Sequence, residues 1–168
     1  MPSSTVTKNF TDGSIALKDG TGSPIMVTGR FTTGDLNLSG LKAKMRETTG
    51  YETRGVLNSV RHTVRKFATI SFTAHMSEFT SASANSLVDA CLKNGAFAAA
   101  VSTLGANAEV YTLDVVITEE GTNFGDSADH TVTLEDVEFE VAFAEGDPNT
   151  FSFSGTVWGA ITGDLAVE

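Results

Sequence analysis

From position 60 to position 76 the chain alternates. Val60, Val64, Ala68, Ile70, Phe72, Ala74 and Met76 fall on one parity; Arg61, Thr63, Arg65, Thr69, Ser71, Thr73 and His75 fall on the other. A two-residue period is the pleat of a strand with one apolar and one polar face. Held over roughly 17 positions at about 3.3 Å each, it predicts a strand on the order of 50 Å long, where about five or six residues is usual. A small domain cannot cover such a strand from one side, so part of it is expected to project toward another surface.

The remaining segments are shorter and mostly of the same kind. Residues 14–18 read as a strand closed by the turn-forming run Asp19-Gly20-Thr21-Gly22. Residues 25–33 and 35–44 read as two more, the latter carrying Leu36, Leu38 and Leu41. Three further strands are expected at 109–118, 134–144 and 151–161. The last two are joined through Glu145-Gly146-Asp147-Pro148-Asn149 as an antiparallel hairpin. One helix is expected at 83–94, capped by Ser81 or Ser83 and ended at Gly95, with Ala84, Leu87, Val88, Cys91 and Leu92 on one face. The Ala-rich run 95–105 fits no element. Residues 1–12 read as a flexible arm, and 45–58, centred on the polar run 46–55, as a long inter-strand loop of the kind that carries function. The pattern predicts a single mainly-β domain over 1–168, an antiparallel β-sandwich or barrel with one flanking helix and that long loop.

With 168 residues and 40% hydrophobic content, the chain is long enough for one buried core. Its net charge of −10 and pI near 4.6 argue against tight nucleic-acid binding. The charge is unevenly spread. Lys42, Lys44, Arg46, Arg54, Arg61, Arg65 and Lys66 cluster in the middle, and no Lys or Arg follows position 109. A basic middle and an acidic final third suit head-to-tail association of identical subunits. The single cysteine, Cys91, excludes an internal disulfide and falls on the apolar side of the expected helix. The run 1–10 lacks the apolar core of a secretory leader, and no segment is apolar enough to cross a membrane as a helix.

Chemistry-bearing patterns are sparse. Gly20-Thr21-Gly22 lacks the rest of a nucleotide fingerprint, and no Gly-x-Ser-x-Gly elbow occurs. His62 and His75 have opposite parity and cannot share a ligand on one strand. The best metal candidate is Asp126, Asp129 and His130 with Glu119 or Glu120, but the surrounding Gly, Ser and Asp are ordinary turn chemistry. Asp136, Glu138 and Glu140 alternate with Val137, Phe139 and Val141. Carboxylates so spaced require a wet face, either plain surface or the wall of a water-filled channel. Trp158 stands on the polar parity of the last strand, to be covered by the helix or by another subunit. No catalytic residue and no cofactor site is assigned.

The run Asp12-Gly13-Ser14-Ile15-Ala16-Leu17-Lys18-Asp19-Gly20, the turn Gly34-Asp35-Leu36, and the closing Thr150-Phe151-Ser152-Phe153-Ser154-Gly155-Thr156-Val157-Trp158-Gly159 resemble tail tube proteins of long-tailed bacteriophages. The resemblance implies a virion structural protein, made in a bacterial host. Its subunits form rings, usually hexamers, whose inner sheets join into a continuous barrel. It implies stacking of rings through the long loop, contact with other tail proteins, and passage of DNA through an acidic lumen without specific binding or any membrane partner. On that basis Lys42, Lys44, Arg46, Tyr51 and Arg54 are the inter-ring candidates, and Asp136, Glu138 and Glu140 the lumen candidates. Arg61 and Arg65 would have to point to the ring contact, since cations would spoil an acidic bore.

Three rival readings remain. A tail terminator or capsid decoration protein differs in stopping at one layer. A ligand-binding β-sandwich would want exposed aromatics clustered on loops, and only the scattered Tyr51, Phe79 and Phe124 qualify. A hydrolase would want paired carboxylates in an apolar cleft, whereas the acids here lie in open strand patterns.

Overall fold

Alternation of apolar and polar residues at 68–75 produces a strand buried on alternate residues, and that strand lies one in from an edge of the main sheet. A computed structural model describes residues 13–29, 35–41, 46–76, 86–122 and 127–164. It contains β1 (Ser14–Lys18), β2 (Met26–Gly29), β3 (Asn37–Ser39), β4 (Arg46–Thr53), β5 (Val56–Arg65), β6 (Ala68–His75), α1 (Leu87–Leu92), a 3₁₀ turn (Gly95–Ala99), β7 (Leu113–Glu119), β8 (His130–Ala144), β9 (Thr150–Val157) and β10 (Ile161–Gly163). Eight strands form one antiparallel sheet in the order β2-β1-β7-β8-β9-β6-β3, with β10 also pairing β8; β4 and β5 form a separate two-stranded sheet. The mainly-β, antiparallel architecture expected from the sequence is the one found, with one α-helix among the described residues.

The sheet curls on itself. β3 and β7 are far apart in its hydrogen-bonded order. Even so, Leu36 and Leu38 line one cavity of about 420 Å³ together with Ile117 and Val132. Among the described residues the end strands β2 and β3 do not pair, so no closed barrel forms. The concave side holds the core, in which Ile15, Leu17, Ile70, Phe72, Leu113, Val115, Leu134, Val137 and Phe153 are almost fully buried. Phe72 stacks on Phe153 with ring centroids 4.6 Å apart and planes 8° from parallel, and Phe139 meets both edge-on. Such pairs contribute about 0.5–1.5 kcal/mol beyond the area they bury. Gly155 sits between Ile70 and Phe139 on the flanking strands. A Cβ there would lie 2.7 Å from Val137 Cγ1 and 3.0 Å from Phe139 Cε1. Gly155→Ala is therefore expected to destabilise the fold by about 1–3 kcal/mol through overpacking, measured by thermal unfolding.

The helix is shorter than its periodicity implies, Leu87–Leu92, and its N-cap is Ser86. The Ser86 hydroxyl accepts from the Asp89 amide at 3.2 Å, and the Asp89 carboxylate accepts from the Ser86 amide at 2.8 Å. This reciprocal box is a strong start signal; the expected caps Ser81 and Ser83 lie outside the described residues. The left-handed stop is Lys93 (φ 57°), one residue before Asn94, and Gly95 opens the 3₁₀ turn instead. Cys91 packs against the core, and burial pushes its thiol up to about 12, as expected of an inert filler. Tyr111 donates its hydroxyl to Ala90 O at 3.1 Å; desolvation, helped by the Asp19 charge, raises that phenol to about 12 as well.

The long alternating run is two strands, not one. It breaks at Lys66 and Phe67: β6 continues in the main sheet, while β5 departs to pair with β4. The same alternation continues through both strands, because period reports the pleat and not what covers it. The expected hairpin of the last third is present, running from Val137↔Val157 to Ala144↔Thr150. It ends at Val157; Ile161 begins β10, which returns to pair Leu134. The N-terminal 1–12 lies outside the described residues.

Candidate assembly interface

The segment expected to be a loop at 45–58 is mostly strand. β4 and β5 pair from Arg46↔Arg65 to Thr53↔Val56. Arg54 (φ 50°) and Gly55 (φ 79°) both take positive φ between them. Two successive left-handed residues make the mirror-image turn whose twist suits a two-residue hairpin. The polar composition hid this, since Thr-rich segments are good strand formers even without apolar neighbours. The readable signal was Arg54-Gly55 flanked by Thr53 and Val56.

Every residue of this hairpin is exposed. Neither strand pairs with the main sheet, so the ten residues of β5 form an arm roughly 33 Å long. Tyr51, Val56, Leu57, Val60 and Val64 are 50–65% exposed. The register places Tyr51 opposite Ser59, Thr49 opposite Arg61 and Thr53 opposite Val56 on one face; Gly50 opposite Val60 and Glu52 opposite Leu57 lie on the other. Both faces therefore carry apolar side chains. An isolated two-stranded hairpin is marginal in water, and large apolar side chains on it signal a surface that is covered in use.

Arg46, Tyr51 and Arg54 all belong to this arm, at its root, middle and turn; Lys42 and Lys44 lie outside the described residues. Arg61 and Arg65 are exposed on β5. The lumen candidates share β8 but are not a uniform row. Glu138 and Glu140 are exposed, one residue apart, while Asp136 occupies a bulge. There Glu135 and Asp136 together oppose Asp114, Asp136 takes φ 56°, and its amide donates to Asp114 Oδ1 at 3.2 Å. Bulges of this kind re-aim the strand that follows. Trp158 stays 38% exposed in the single subunit; its ring lies 4.6 Å from that of Phe67, and its Nε1–H donates to Glu138 Oε2 at 3.0 Å. Neither contact has a local signature in the chain.

The metal candidate takes another role. Asp129 accepts from the amides of Gly121 (3.0 Å) and Thr122 (3.3 Å) and from the Thr122 hydroxyl. The Thr122 and Gly121 amides hold its carboxyl below the usual carboxylate range. His130 Nδ1 lies 3.2 Å from Asp164 Oδ2. Among the described residues no group of three His, Cys, Asp or Glu is placed to hold a metal; Asp126, like Phe79 and Phe124, lies outside them. His62 Nδ1 lies 3.4 Å from Thr48 Oγ1 on the arm, far in sequence and in a different sheet from His75.

No family model and no curated protein matches the chain. Among solved structures, it is similar to the PVC sheath/tube terminator of an extracellular contractile injection system in its extended state. The TM-score is 0.53 at 12% identity, over 98% of this chain and 97% of that one. The likeness is one of fold. A second similar structure is the baseplate of the anti-feeding prophage, six-fold symmetrised, with a TM-score of 0.49 at 11% identity over 96% of both chains.

Proposed function

We propose that this chain is a structural subunit of a phage-tail-like particle that assembles with copies of itself into rings. The observation that carries the reading is the arm, a free hairpin with apolar side chains on both faces, attached to a body whose fold is that of a sheath/tube terminator. An arm with this composition is completed by a neighbouring subunit. The open ends of the curled sheet, β2 and β3, offer backbone groups to the flanking copies, which removes the edge liability of an all-β subunit.

In this reading the rings stack into a tail tube, and Arg46, Tyr51 and Arg54 meet the next ring. Glu138 and Glu140, with Asp136 beside them, face the bore, where carboxylates repel phosphates and let DNA pass without adhesion. Hexameric symmetry, residence in the virion and synthesis in the host cytoplasm follow from the same reading. The subunit performs no chemistry and needs no cofactor; its partners are its own copies and other tail proteins. The likeness to a terminator favours one alternative, a ring that ends the tube and does not stack.

Negative-stain microscopy of the concentrated protein tests both. Long stacked polymers support the tube, closed single rings support the terminator, and monomers alone overturn assembly. Arg46→Glu combined with Arg54→Glu is expected to raise the concentration needed for assembly about tenfold, equivalent to about 1.4 kcal/mol per contact. Sedimentation checks it, and unchanged assembly removes these two cations from the contact.

A further inference from the structure

Where the arm returns to the body, Phe67 and Ala68 lie against Gly40, just past the end of β3. Gly40 takes φ 76°. A Cβ there would stand 3.1 Å from Ala68 Cα and 3.3 Å from Phe67 O, so the chain at Gly40 runs hard against the returning chain. On the returning side only Lys66 and Phe67 separate β5 from β6. Two unpaired residues leave several backbone torsions free, and nothing in the pairing of either sheet dictates the angle between arm and body.

Side chains at this root form a continuous ladder. The Arg65 guanidinium, at the end of the arm, sits 4.9 Å from the centroid of the Phe67 ring. The Phe67 ring lies 4.6 Å from the Trp158 ring, tilted by 59°. The Trp158 indole N–H donates to Glu138 Oε2 at 3.0 Å, and its backbone N–H donates to Asp136 O at 3.1 Å, in the left-handed bulge of β8. Lys66 Nζ adds a contact to Glu47 Oε1 at 3.4 Å, tying the link to the other strand of the arm. The ladder thus runs from the arm through the link to β9 and β8. Its members are at or near the surface, where ring and cation contacts are individually modest but strongly directional.

We propose that Phe67 and Trp158 are positioning residues that fix the direction of the arm relative to the body, with Arg65 and Glu138 holding the two rings from either side. Glu138 then acts through Trp158 on the arm, whether or not it also faces a bore. The ladder acts within a single subunit, whatever the arm docks onto.

The test is a distance measurement on dilute, unassembled protein. Spin labels go on exposed Glu52→Cys in the arm and Ser152→Cys in the body, in a Cys91→Ser background. The parent is expected to give one narrow distance distribution, which broadens at least twofold in Phe67→Ser and in Trp158→Leu. Trp158→Phe, which keeps a ring against Phe67, is expected to retain the narrow distribution. Trp158 is the sole tryptophan, so a red-shifted emission in Phe67→Ser reads loss of the ring contact directly. A distribution that stays as narrow as the parent's in Phe67→Ser and Trp158→Leu, with circular dichroism unchanged, overturns the proposal. Should either variant fail to fold, Arg65→Gln at the exposed end of the ladder carries the same test: broadening supports the proposal and unchanged width overturns it.

Discussion

Phe72→Ala is expected to cost about 3–5 kcal/mol, the range for truncating a buried aromatic whose site cannot collapse. Phe72 is 2% exposed, stacks on Phe153 and meets the edge of Phe139, and the strands that carry these rings pair with one another in fixed register. Relaxation into the vacated volume would require shifting β6, β8 and β9 together. Against a typical stability of about 5–15 kcal/mol, the loss is a large fraction of the whole. For a chain of this size it corresponds to a fall of roughly 6–20 °C in the unfolding midpoint, read by calorimetry or circular dichroism. A midpoint within about 2 °C of the parent would mean that the aromatic cluster is not the centre of the core. Val60→Ser provides the contrast: it lies on the same alternating run but is 57% exposed, so its effect on the isolated subunit is expected to stay within about 0.5 kcal/mol.

That contrast marks where the sequence was legible and where it was not. β1 runs from Ser14 to Lys18, as its pattern implied, and the alternation around Phe72, Val137 and Phe153 identified genuine core positions. Those positions are set by local period, which one sequence displays. The boundary at Lys66 and Phe67 depends on which strand pairs with which, and pairing is not a local property. The helix start turned on Asp89 answering Ser86, a three-residue relation that was present but overshadowed by the run of serines before it. The bulge on β8 also left a trace: Glu135 and Asp136 are consecutive polar residues between Leu134 and Val137, where strict alternation allows only one. Of the candidate site, Arg46, Tyr51 and Arg54 proved to share one element, because neighbours in sequence remain neighbours on a hairpin. The contacts of Glu138 with Trp158, and of Trp158 with Phe67, join residues 20 or more positions apart and had no signature to read.

Excising the arm separates folding from assembly. With residues 46–65 replaced by a short Gly/Ser linker, the body keeps every strand of its eight-stranded sheet, since β4 and β5 pair only with each other. Its midpoint is expected to move by no more than about 2 °C, because the removed residues are exposed throughout and contribute little to the core. Assembly responds quite differently. Fully covering one Val or Leu side chain is worth about 1.5–3 kcal/mol, and the arm presents Val56, Leu57, Val60 and Val64 together with Tyr51. Even after ordering costs, a surviving 3 kcal/mol per contact corresponds to roughly a hundredfold in the concentration at which subunits associate. The excised protein is therefore expected to remain unassembled at concentrations a hundred times those at which the parent forms rings or tubes, as followed by sedimentation and microscopy. Polymers forming at the parent's concentration would show that the contacts between subunits lie on the body, and that the apolar faces of the arm are covered by something other than a sister copy.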